Sequence, residues 1–280
     1  MISTLSTADG LPLHVHAWPT AAPGHGTVLI VHGLGEHVGR YAHVAAHLDA
    51  RGWNVVGYDH RGHGRSGGAK GRLAQDDDLL RDLAVVIDSI RATQPGTLVV
   101  LGHSLGGLIA ARFVAEGLAA APAPWWRRID ALVLSSPAID PGMSRAQKLL
   151  LAISAPVLPD LAVNNGLKPA WISRDPAVVQ AYRDDPLVHD RVTPRLVRFL
   201  VDGGRRVLEQ APQWAVPTLL IYAGSDRCVS PRGSAAFAAA APRQVATVRE
   251  FPALYHEILN EPERHEVFAV LDAWLVQQER

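Results

Sequence analysis

The run Gly102-His103-Ser104-Leu105-Gly106-Gly107 holds the residue types and spacing best suited to chemistry. The apolar stretch Thr97-Leu98-Val99-Val100-Leu101 before it reads as a buried strand, and 108–114 after it reads as a helix. A serine at the tip of a tight strand-to-helix turn sits at a helix N-terminus, where developing negative charge is stabilised. Glycines flank it because the turn leaves no room for side chains. This context points to Ser104 as a nucleophile. Gly64-Arg65-Ser66-Gly67-Gly68 has the same spacing, but no apolar strand directly precedes it and no helical pattern directly follows, so Ser66 reads as a loop residue.

A hydroxyl is a weak nucleophile until a base takes its proton and an acid fixes that base's tautomer. The chain order expected around such a turn is serine, then acid, then histidine. His256 lies in Leu254-Tyr255-His256-Glu257, just after the strand pattern at 246–251, and is the expected base. His265 falls inside the last helical pattern and reads as a solvated residue. Asp226 directly follows the strand pattern at 217–222 and is the expected acid; an Asx-turn or helix cap is its structural alternative. Asp184, Asp185 and Asp202 lie in the intervening segment. A tetrahedral intermediate needs backbone donors for its oxyanion. Leu105, next after the serine, offers one N–H. Leu34 in His32-Gly33-Leu34-Gly35 offers the other, with Gly33 letting the backbone approach the substrate.

Positioning these groups takes alternating strands and helices. Strand patterns occur at 11–18, 27–31, 54–58, 97–101, 131–134, 217–222 and 246–251. The first alternates apolar and polar residues, as a half-buried edge strand does; the run at 27–31 is apolar throughout, as in a parallel sheet covered on both faces. Helical patterns occupy 41–51, 77–91, the stretch after Ser104, 231–241 and 263–278. Residues 119–124 read as a loop. The alternation breaks between 138 and 213, where the pattern is largely helical without a strong strand. The fold class is therefore α/β, with a mostly parallel sheet, helices on both faces and an inserted helical cap. The expected core is 1–137 with 214–280, and the cap is 138–213.

The motifs resemble those of monoacylglycerol lipases and the related lysophospholipase and serine-aminopeptidase-like branch of the α/β-hydrolases. The resemblance rests on His32-Gly33-Leu34-Gly35-Glu36-His37 with Arg40-Tyr41, and on Asp59-His60-Arg61-Gly62-His63-Gly64-Arg65-Ser66. It also rests on 102–107, Ser135-Ser136-Pro137, Ser173-Arg174-Asp175-Pro176, Tyr182 with Asp185-Pro186-Leu187, Gly224-Ser225-Asp226 and Tyr255-His256-Glu257. The resemblance implies Ser104, Asp226 and His256 as the triad and Leu34 and Leu105 as the oxyanion hole. It further implies Glu36 and Tyr182 near a glycerol head group. A single-chain lipid ester, a monoacylglycerol above all, is the implied substrate, with no cofactor. A lysophospholipid, other carboxylic esters and small aminoacyl amides are the alternatives, and a ligand sensor is the non-enzyme rival.

Composition sets the remaining bounds. The chain has 280 residues, 27 basic and 27 acidic, so no nucleic-acid footprint is expected. His60 and His63, with His14 and His16, offer no evident third metal ligand, and no metal is expected. Cys228 is the single cysteine, which excludes an internal disulfide and marks one small, mostly buried candidate for modification. No signal peptide or membrane span is read, so a cytoplasmic protein is expected. The apolar stretch 149–158 suggests transient contact with a lipid surface as well as cap packing. Trp125-Trp126-Arg127-Arg128 reads as a loop at the sheet edge or an interface anchor.

Overall fold

The computed structural model describes residues 2–18 and 24–279. The core strands are β1 (Ile2–Ser6), β2 (Pro12–Trp18), β3 (Gly26–Val31), β4 (Trp53–Tyr58), β5 (Thr97–His103) and β6 (Ala131–Ser135). The helices among them are α1 (Ala42–Asp49), α2 (Asp78–Thr93) and α3 (Leu105–Gly117). Next come α4 (Arg145–Val157), β7 (Val163–Asn164), α5 (Pro176–Asp184), β8 (Arg191–Val192) and α6 (Pro194–Gln210). The alternation then resumes with β9 (Thr218–Ala223), α7 (Pro231–Ala240), β10 (Ala246–Phe251) and α8 (Arg264–Leu275).

Eight of the described strands form one sheet in the order β1-β2-β4-β3-β5-β6-β9-β10. β1 pairs antiparallel with β2, and β2 with β4. All other pairings in that sheet are parallel. The period-two pleat sends alternate side chains to two cores. Val28, Ile30, Val99, Leu101, Leu219 and Ile221 meet α1 and α8; Leu29, Val31, Val100, Leu132 and Leu220 meet α2, α3 and α7. This double covering is why these strands are apolar throughout. Each such side chain contributes roughly 1.5–3 kcal/mol by burial.

Two sequence expectations change. The strand pattern at 11–18 is present as β2, but β1 lies outside it and takes the edge. Most of β1 is exposed, so its sequence carries little alternation. The 138–213 segment also contains a two-residue ladder, Val163 opposite Val192 and Asn164 opposite Arg191. Within that segment, α6 buries Leu196, Phe199, Leu200 and Val207 in the same core as α3. By contrast, α4 buries Ala155 while Leu149, Leu150, Ile153 and Val157 stand exposed.

The chain leaves β3 for β4 on one side and returns to β5 on the other. Loops after β3 and β5 therefore diverge, opening a crevice at the carboxyl ends of the strands. No described helix is long and apolar enough to cross a membrane.

Candidate active site

Ser104 stands at the end of β5 with φ 53° and ψ −117°, a conformation costing about 1–3 kcal/mol. Surrounding hydrogen bonds hold it there. Its N–H donates to the Ser135 carbonyl at 3.0 Å, and its own carbonyl accepts from Leu108 and Ala138 at 3.0 and 2.9 Å. Close packing explains the glycine two residues on: a Cβ on Gly106 would collide with the carbonyl oxygens of Val31 and His32.

His256, from the loop after β10, reaches Ser104 Oγ through Nε2 at 2.8 Å. Its Nδ1 meets Asp226 Oδ2 at 2.6 Å. The other Asp226 oxygen accepts from the N–H groups of Cys228 and Val229 at 2.8 and 3.0 Å, so the carboxylate is held from both sides. Burial by itself would lower the His256 pKa. The Asp226 charge and hydrogen bond, with the charges of Glu257 and Glu36, outweigh it and raise the pKa above the ordinary histidine value. Burial pushes Asp226 the other way, but His256 and the two backbone N–H groups prevail and hold its pKa low. This arrangement can take a proton from Ser104 Oγ and stabilise the imidazolium that results.

The loop after β3 lies against Ser104. A Cβ on Gly33 would stand 3.2 Å from Ser104 Cβ, so glycine permits the approach. Among the described residues, the Leu34 and Leu105 N–H groups have no hydrogen-bond partner. Unpaired donors beside a nucleophile suit a transient anion.

Glu36 and Tyr182 border the same cavity, which has a volume of about 580 Å³. The Glu36 carboxylate is engaged by the protein. Oε1 accepts from the Gly33 N–H at 2.5 Å and from Tyr41 Oη at 2.7 Å, and Oε2 accepts from Arg40 at 2.5 Å. Arg40 also donates to both Glu257 oxygens, at 2.7 and 2.8 Å, and its guanidinium lies 4.9 Å from the centre of the Tyr182 ring. The Glu257 N–H in turn donates to Ile172 at 2.8 Å. One buried arginine thus ties together the β3 loop, the His256 loop and α5. Burial would raise the Glu36 pKa, but the Arg40 charge leads the influences that hold it low.

Arg40, Glu257 and His103 acquire a role through geometry that sequence reasoning did not give them. The closeness of Glu36 and Arg40 along the chain is the sequence signal for part of it. His103, its ring tilted 53° to that of His256 with centres 4.8 Å apart, has its pKa lowered to about 4, first by burial and then by His256. It stays neutral beside the imidazolium that catalysis would form.

The other candidates make other contacts. Ser66 Oγ donates to the Asp59 carbonyl at 2.6 Å and accepts from the His14 N–H at 2.8 Å, pinning a loop to β2. His265 is exposed on α8. Asp185 pairs with His37 at 2.8 Å. His60 and His63 are buried beside His32, with Nε2 of His60 on the His32 carbonyl and Nδ1 of His63 on the Arg61 carbonyl. Trp125 packs on Phe113 and donates to Asp77, as an edge loop would.

The profile of the family described as serine aminopeptidase, S33, matches residues 22–263. The chain belongs to this family. It is 33% identical to a monoacylglycerol lipase of Mycolicibacterium smegmatis, over 95% of its own length and 94% of that protein. It superposes on the crystal structure of Paleococcus ferrophilus monoacylglycerol lipase with a TM-score of 0.84 at 31% identity, covering 95% of this chain and 99% of that one. It is also 29% identical to an uncharacterized abhydrolase domain-containing protein of Dictyostelium discoideum, spanning 99% of itself but 29% of that longer chain. The protein is thus a serine hydrolase with the α/β-hydrolase fold.

Proposed function

We propose that this hydrolase cleaves monoacylglycerols to fatty acid and glycerol. The observation that carries the reading is the Ser104–His256–Asp226 chain of hydrogen bonds, 2.8 and 2.6 Å long, at the floor of a cavity. The likeness to monoacylglycerol lipases over nearly the whole chain supports the substrate class.

In this reading His256 Nε2 accepts the Ser104 proton as Oγ attacks the ester carbonyl. The Leu34 and Leu105 N–H groups receive the oxyanion. His256 then protonates the departing glycerol oxygen, leaving an acyl-enzyme. Water, deprotonated by the same nitrogen, releases the fatty acid and restores Ser104. Gly33 and Tyr182 border the alcohol's side of the cavity. Glu36 contributes through the loop it holds, since its oxygens already accept three donors.

The segment 138–213 serves as the cap over a core made of 1–137 and 214–280. The exposed face of α4, with Leu149, Leu150, Ile153 and Val157 between 61% and 71% accessible, suits transient contact with a lipid surface from which substrate enters. Steady-state hydrolysis of monoacylglycerols of graded chain length, beside a lysophosphatidylcholine and an aminoacyl anilide, tests the reading. Preference for the glycerides, abolished in Ser104→Ala, is expected. Activity confined to the lysolipid or the anilide would keep the mechanism and overturn the substrate.

A further inference from the structure

Asp226, Cys228 and His256 each offer a metal-ligating atom, and these atoms all lie within 4.8 Å of one another. No other three His, Cys, Asp or Glu side chains among the described residues meet that spacing. The Asp226 and His256 side chains are 2% and 7% exposed, and Cys228 is half-buried on the cavity wall. Cys228 and His256 border the cavity, and the Asp226 carboxylate lies directly behind them, on His256 Nδ1.

We propose that these three residues form an inhibitory site for a thiophilic divalent cation, with zinc the best match. Zinc takes mixed sulfur, nitrogen and oxygen donors in a tetrahedron, with bonds of about 2.0–2.3 Å, and three protein ligands leave the fourth position to water. A thiolate and a carboxylate together neutralise the dication. The Asp226 oxygen and His256 nitrogen lie 2.6 Å apart, so an ion seated between them would part that hydrogen bond while drawing the thiol inward.

The nitrogen that faces Asp226 is Nδ1. As base, His256 must carry its proton there and leave the Nε2 lone pair for Ser104. A cation on Nδ1 displaces that proton, and the neutral ring then carries it on Nε2. Nε2 becomes a donor to Ser104 Oγ and no longer accepts its proton. The Cys228 thiol loses its proton to solvent, so one proton is released per ion bound and no electron is transferred. The block on catalysis rests on the reading of His256 as the base; the binding itself does not.

The test adds buffered zinc to the full chain during hydrolysis of a short soluble ester and follows cobalt(II) binding by absorption. Cys228→Ser and Cys228→Ala are each compared with their own metal-free rate. The expected result is one ion per chain, loss of hydrolysis reversed by a chelator, and a cobalt–thiolate charge-transfer band. Both variants should lose the band and need more zinc for half-inhibition. Removing a ligand should cost at least the roughly 10–100-fold that removal of an outer-shell partner costs. Equal zinc sensitivity in the variants and the parent, or no thiolate band in the parent, overturns the site. A thiolate band without loss of hydrolysis overturns the inhibition and faults the base assignment, which retained turnover in Ser104→Ala would fault separately through the nucleophile.

Discussion

The floor of the crevice and the outer face of α4 are built on opposite principles. At the floor, buried charges are held at fixed distances by partners from three loops, and Arg40 alone makes three hydrogen bonds to two carboxylates. On α4, Ala155 anchors the helix while Leu149, Leu150, Ile153 and Val157 point into solvent. The first region can hold reacting atoms to a fraction of an ångström, because moving any member strands a buried charge. The second holds little against the core, so substitutions there should spare the chemistry. The contrast teaches that one chain can pair a polar floor fixed by buried partners with an apolar face that the core barely restrains.

Substitutions can break that contrast, and the largest effect belongs to the floor. Ser104→Ala should lower kcat by on the order of 10⁶ while leaving the unfolding transition in place. Steady-state kinetics beside chemical denaturation checks both halves of that expectation, and near-normal turnover would remove Ser104 from the nucleophile's role. Asp226→Asn should lower kcat by about 10⁴ by favouring the wrong tautomer.

The pH dependence sharpens the same point. His256 must be neutral to act as base, and its folded pKa is raised, so kcat/KM should climb with pH through a limb lying above about 6.5, the ordinary histidine value. In Asp226→Asn the charge that raises this pKa is gone, and the residual activity should show the limb displaced to lower pH. An unmoved limb in the pH–rate profile would mean that another group titrates.

Arg40→Met should cost roughly 3–5 kcal/mol of stability, since it leaves Glu36 and Glu257 buried without their cation. Arg40→Lys should recover part of this, keeping the charge but losing the two-pronged contact to Glu257. Denaturant unfolding of the pair measures the difference. The smallest expected effect lies on α4. Leu150→Ser should change stability by no more than about 0.5 kcal/mol and leave short-ester hydrolysis as it is. Binding to phospholipid vesicles, measured by sedimentation, should fall. Unchanged vesicle binding would separate α4 from the lipid surface.

Much of this architecture can be read in the chain because local rules and burial agree. Apolar runs such as 97–101 mark strands covered on both faces, and the spacing at 102–106 marks a turn that excludes side chains. β1 escaped notice because an exposed edge strand needs no alternation. The network around Arg40 is legible in part. Glu36 and Arg40 are close along the chain, but Glu257 joins Arg40 from 217 residues away, and nothing local specifies that pairing.

By itself the sequence determined the residue types, their order and the strands that end in them: a serine at a strained turn, an acid and a histidine after later strands, and glycines where backbone meets backbone. These follow from local sterics and from the periodicity of burial, which a linear chain carries. Only the tertiary structure decided which groups meet. It turned Glu36 toward Gly33 and Arg40, joined Glu257 to Arg40, and brought the Cys228 thiol beside His256 and Asp226. Such contacts depend on how loops from different strands converge at one end of a sheet, where distance in space is set by packing and not by separation along the chain.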